Sequence, residues 1–154
     1  MKASYVPEDS TTIVPELFKV FKHENILFLP RYKEEKKYAK GHENIFIPIE
    51  PLAGLDVCYY TKAMLTGAGT FAREAAILGT PAVSFFPGKT FLTVDKIMQE
   101  KGWEFKSRDP QEIYKYVQNS EKNENKLERS KTVQREIINK IEIIIMNILE
   151  EKYK

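Results

Sequence analysis

Gly67, Ala68, Gly69 and Thr70 stand between an apolar run, Ala63–Thr66, and a helical pattern over residues 70–78. A strand that hands over to a helix through such a turn leaves backbone N–H groups free at the helix start, where they carry partial positive charge. Such a helix start suits an anion, a phosphate above all. Gly67 and Gly69 remove the side chains that would hold a phosphate off, and Thr70 adds a hydroxyl donor. Glu74 follows Thr70 by four residues and falls on the same helix face. Its carboxylate would repel a phosphate, but it suits the vicinal hydroxyls of a ribose attached to one. The turn also fits a purely structural role. Glu74 equally fits a first-turn acid, or a salt bridge with Arg73 or Lys89.

Two other chain positions point to the same edge. Phe85-Phe86-Pro87-Gly88-Lys89-Thr90 follows the next apolar run, with Gly88 permitting close approach and Lys89 able to meet a phosphate. Arg31 lies just past the run Ile26–Leu29. In parallel sheets ligands bind beyond the carboxyl ends of the strands, so the three ends converge. The turn is too short for a P-loop and lacks its Lys-Thr pair. It is not G-x-G-x-x-G either, since Ala72 replaces the third glycine and the glycines follow the fourth strand rather than the first. A nicotinamide-dependent oxidoreductase is therefore disfavoured.

The elements that must position these groups alternate along the chain. Expected strands are Ala3–Val6, Ile26–Leu29, Ile45–Ile47, Ala63–Thr66, Ala82–Phe86 and Trp103–Lys106. Between them come helical or charged stretches. Gly79 is the expected left-handed stop of the helix over 70–78, with Pro81 blocking continuation. Gly102 should end a helix over 90–101. Asp109-Pro110-Gln111-Glu112 combines a cap residue, a first-turn proline and a capping-box glutamate. Continuous apolar strands suit a sheet covered on both faces. The expected fold is α/β: a Rossmann-like three-layer α/β/α domain with an open parallel sheet over residues 1–119, and a C-terminal helical extension over 120–154.

In that extension, residues 121–131 are nearly all polar, and the following stretch is apolar. Ile137, Ile138, Ile141, Ile144, Ile145 and Ile148 form one helical stripe, widened by Ile143 and Met146. Such a face packs either on its own domain or on a partner.

Composition narrows the function classes. The net charge of +2, from 24 basic and 22 acidic residues, has no basic stripe for nucleic acid. One cysteine, Cys58, excludes an intrachain disulfide. His23 and His42 have neither the spacing nor the company for a metal site. No apolar run is long enough to span a membrane, and a cytoplasmic location is expected. The bias toward Lys, Glu and Ile is of the kind thermophilic proteins show.

The stretch "GAGTFAREAAILGTPAVSFFPGK", with "ILFLPRY" and "FLTVDKIMQEKG", resembles the C-terminal half of the domain of unknown function 354 family. That family looks like a relative of UDP-N-acetylglucosamine 2-epimerase and of glycosyltransferases with two facing Rossmann domains, the GT-B architecture. The resemblance covers residues 3–118. It implies that Ala68-Gly69-Thr70 replaces the epimerases' phosphate-holding Ser-Gly-Gly, and that Glu74 takes the place of their ribose-gripping glutamate. Val6-Pro7-Glu8-Asp9 stands where the epimerases keep basic residues, so epimerase chemistry itself is not supported. Relatives place the active site between two domains. This chain then corresponds to one half: a fragment, a truncated product or a subunit of a split enzyme. The two-subunit N-acetylglucosaminyltransferase of dolichol-linked glycan assembly is a precedent by resemblance.

The resulting expectation is a nucleotide-sugar-binding half, with UDP or a UDP-sugar as ligand and no other cofactor. It would turn nothing over without an N-terminal partner domain. The alternative is a non-catalytic module that acts through its apolar helix, on a second copy or another protein.

Overall fold

The structure is a computed structural model that describes residues 11–88 and 92–152. The expected strand Ala3–Val6 and the candidate site residue Lys89 lie outside the described residues.

In chain order the elements are α1 (Val14–Val20), β1 (Ile26–Leu27), a 3-10 helix (Lys33–Ala39), β2 (Ile45–Phe46), α2 (Gly54–Tyr60), β3 (Met64–Thr66) and α3 (Gly69–Ile77). They continue with β4 (Ala82–Ser84), α4 (Thr93–Glu100), β5 (Glu104–Lys106), α5 (Pro110–Gln118) and α6 (Glu124–Lys152). All strand pairs are parallel, as the alternation of strands and helices requires. The strands form two sheets, β1-β2 and β3-β4-β5, rather than the single open sheet expected. The α/β class holds, and among the described residues nothing pairs β1 with β3.

Two cores sandwich the larger sheet, and strand alternation sorts side chains between them. Met64 and Ala82 face α2, α3 and α4, joining Val57, Cys58, Ala75, Ala76 and Met98. On the other face Val83 packs with Leu17 and Phe21 near α1 and with Ile113 and Val117 of α5. The alanines of α3 let it approach the sheet closely, whereas the α1 and α5 side needs large side chains to fill. Cys58 is fully buried, and burial first, then the charge of Glu74, pushes its thiol up to about 11.

The local signals operate as sequence chemistry dictates. Gly79 (φ +86°) and Gly102 (φ +64°) end α3 and α4 in the left-handed region. Asp109 caps α5, accepting from Gln111 N–H at 2.7 Å and Glu112 N–H at 3.2 Å. The capping box closes through an intermediary: Glu112 accepts from the Ser107 hydroxyl (2.7 Å), which in turn accepts the Asp109 N–H (3.0 Å).

From Glu124 the polar stretch continues into the apolar one as the single 29-residue helix α6. Its root is held by Asn123, whose N–H donates to Gly79 carbonyl at 2.8 Å, and by Arg129 and Lys126 over the Trp103 ring at 5.0 and 5.8 Å. Beyond it, Ile137, Ile141, Ile144 and Ile148 are 49–57% exposed, so the stripe does not pack on its own domain. Among the described residues no helix is long and apolar enough to cross a membrane.

Candidate functional site

The site is built where β3 hands over to α3. Neither Gly67 nor Gly69 has positive φ, so these glycines supply room rather than an unusual backbone. A Cβ on Gly67 would press on the Phe85 ring at 3.2 Å, and one on Gly69 would meet the Arg73 guanidinium at 3.0 Å. The Thr66 hydroxyl turns back to accept the Ala68 N–H at 2.9 Å. The first amide used inside the helix is that of Ala72, which reaches the Ala68 carbonyl at 3.4 Å. The amides of Gly69, Thr70 and Phe71 therefore donate to no described protein atom, as expected for the open first turn of a helix.

Arg73 lies back across that turn. One guanidinium nitrogen donates to the Thr70 hydroxyl at 3.2 Å, and the other pairs with Asp95 of α4 at 2.5 Å. The pair is mostly shielded, with side chains 21% and 18% exposed. Glu74 is thus not bound to Arg73. It is half-buried on the side of Cys58, and its carboxylate makes no hydrogen bond or ion pair among the described residues. A carboxylate without a partner, one turn along the helix from three unused amides, is an arrangement that invites a ligand.

The other strand ends contribute unequally. Arg31, Gly67 and Ala68 border one cleft of about 740 Å³ that runs between the two sheets. Gly69, Thr70 and Glu74 are not part of its lining. Arg31 is exposed; its own amide is fixed by the Glu35 carboxylate at 2.8 Å, and its guanidinium stands 5.6 Å from the Tyr32 ring. Gly88 is buried, and a Cβ there would overlap the Phe86 ring. Its carbonyl accepts from Lys106 Nζ at 3.2 Å. That places Lys106, at the carboxyl end of β5, next to the loop that leads to Lys89.

Sequence reasoning missed Arg73, Lys106 and Glu104. The signal for Arg73 was available, because a long side chain at i+4 points back toward the helix start at Gly69. Lys106 is the last residue of an edge strand, and the rule that ligands gather at carboxyl ends would have reached it. Burial lowers its pKa, against the opposing charges of Asp95 and Glu104.

Glu104 faces the α3–α4 side, is 5% exposed and leaves Oε2 without a partner. Burial first, then the charge of Asp95, raises its pKa, while Arg73, Ser84 and Lys106 oppose the rise. A raised carboxyl makes the folded state hold more protons than the unfolded one. Stability is then fullest below the ordinary Glu range and falls as pH climbs from about 4.5 through the folded value. Glu104→Gln is expected to raise the melting temperature by a few degrees at pH 7 and to lose that advantage at pH 4. Thermal melts of both proteins at the two pH values check this; an equal offset at both would remove the charge as its cause.

Among the described residues no three His, Cys, Asp or Glu side chains are grouped to hold a metal ion.

A search of curated proteins finds similarity to an uncharacterized protein of Methanocaldococcus jannaschii, 35% identical over 96 residues. The match covers 62% of this chain but 28% of that relative, so the chain spans well under half the relative's length. No solved structure gives a significant match. The family described as "Protein of unknown function (DUF354)" matches residues 1–152, beyond the 3–118 of the sequence resemblance and through α6. On that coverage, the chain belongs to the DUF354 family.

Proposed function

We propose that this chain is the nucleotide-diphosphate-sugar-binding half of a GT-B-type glycosyltransferase or a UDP-sugar epimerase-like enzyme. One observation carries the reading: at the start of α3 the amides of Gly69, Thr70 and Phe71 have no partner among the described residues, and neither does the carboxylate of Glu74 one turn further along the helix. The diphosphate sits on the amides, where the helix dipole and fixed N–H groups favour negative charge. Arg73, already folded over Gly69, reaches the same oxygens, and Lys106 and Arg31 extend the positive rim. Glu74 accepts from the ribose hydroxyls. When a glycosyl bond breaks, these donors stabilise the departing diphosphate; the acceptor's base comes from a second domain. Because the chain covers a minority of its relative, catalysis belongs to a longer or two-part assembly.

Titration calorimetry with UDP, CDP and GDP tests this. Weak binding of a nucleoside diphosphate is expected, weakened at least tenfold by Glu74→Ala with an unchanged circular dichroism spectrum. No heat from any of the three at millimolar ligand would sink the reading.

The exposed stripe of α6 favours a second reading, a surface for a partner protein or a second copy. A strict monomer by light scattering would remove the second copy.

A further inference from the structure

Beyond its root, α6 stands clear of its own domain: every residue from 131 to 150 is exposed, a length of about 30 Å. In a seven-residue frame Ile141 and Ile148 take position a, Ile137 and Ile144 position d, and Ile138 and Ile145 position e. With Val133 and Leu149 at its edges, the apolar arc covers about 160° of the helix circumference. Two helices seal a narrow a/d seam, whereas an arc this wide has room for two neighbours. Isoleucine at both a and d points the same way, because that combination favours three or four strands over two. Half-exposed as they are, these side chains offer about 700 Å² per copy, against the roughly 800 Å² a stable interface takes from each partner.

The charges beside the arc say what covers it. Over residues 133–150 the cations Arg135 and Lys140 are outnumbered by Glu136, Glu142 and Glu150, so nothing draws the helix to an anionic lipid surface. Arg135 and Glu142 flank the e side of the arc, while Glu136 and Lys140 flank the d side. Glu136, Lys140 and Glu142 have no ion pair within the chain among the described residues. When copies lie parallel and in register, the e side of one meets the d side of the next. Arg135 then stands at nearly the level of Glu136 of the next copy, and Glu142 at nearly the level of its Lys140. An antiparallel pair that matched the isoleucines would instead bring the two Glu142 side chains together. The helix is thus complementary to itself in one orientation, in both its apolar arc and its charges.

We propose that α6 joins this chain to two further copies in a parallel, in-register, three-stranded bundle, closed by Ile137, Ile141, Ile144 and Ile148. The inference rests on the second reading of α6 given above and is independent of the nucleotide site. It gathers three domains, each with its own glycine turn, at one end of the bundle.

Light scattering on the full chain reads the copy number, and a mass of three 17.9 kDa chains is expected. Ile141→Asp combined with Ile144→Asp should leave a single chain, with Trp103 emission unchanged because the root of α6 is untouched. Lys140→Glu should weaken association at least tenfold at low salt by setting like charges beside Glu142 of the next copy. Adding Glu142→Lys to it should restore the association, which a merely unfolded helix would not allow. A strict monomer overturns the proposal and leaves a partner protein as the second reading. A mass of two chains, or three chains that survive the isoleucine changes, overturns the bundle while self-association stands. Association indifferent to Lys140→Glu overturns the parallel register.

Discussion

Gly79→Ala is expected to lower the melting temperature by about 10 °C, a large effect for a single added methyl group. Two costs fall on the same atom. The backbone at Gly79 is left-handed, at φ +86°, which costs any residue with a Cβ about 1–2 kcal/mol. The added carbon would also overlap the Asn123 carbonyl oxygen, which cannot rotate away as a side-chain tip can. Moving Asn123 strains its N–H bond to the Gly79 carbonyl, worth about 1 kcal/mol, and shifts the root of α6. The two together come to about 2–3 kcal/mol, to which the overlap with the Asn123 carbonyl adds. A thermal melt followed by circular dichroism measures it. A fall under about 3 °C would mean that the joint between α3 and α6 yields freely.

Arg73→Ala should be the next largest, at about 2 kcal/mol of stability, below the range for fully buried pairs because one fifth of each side chain remains exposed. The loss comes less from the missing attraction than from what is left behind. Asp95 stays shielded without its cation, close enough to Glu104 for the two charges to oppose each other. Urea unfolding at pH 7 gives the difference. Adding Asp95→Asn to the Arg73→Ala protein should recover most of it, since the uncompensated charge disappears. If the double variant is as unstable as the single one, the pair is structural packing rather than electrostatics. The same Arg73→Ala protein should lose at least tenfold in nucleotide affinity if Arg73 meets the diphosphate.

Much of the architecture was readable because its signals are local. Asp109-Pro110 starts α5, Gly79 and Gly102 stop α3 and α4, and the apolar run at residues 82–84 is a strand covered on both faces. The glycine turn and Glu74 were placed correctly relative to α3 for the same reason. What stayed hidden depends on distant partners. Arg73 meets Asp95 across 22 residues, and no spacing rule couples two separate helices. Glu104 looks like an ordinary polar residue of an edge strand until the α3–α4 layer covers it. The gap between β1 and β3 is a question of which strands become neighbours, and apolar runs are silent on that. From Glu124 the polar stretch is part of α6, because Glu, Lys, Arg and Leu are good helix formers.

The chain has a single tryptophan, and it sits under the root of α6 with Arg129 and Lys126 over its ring. Indole fluorescence therefore reports on whether the long helix is seated, and a ligand that leaves the helix in place should pass unseen by it. The protein holds a spectroscopic gauge for its tail that is blind to its glycine turn.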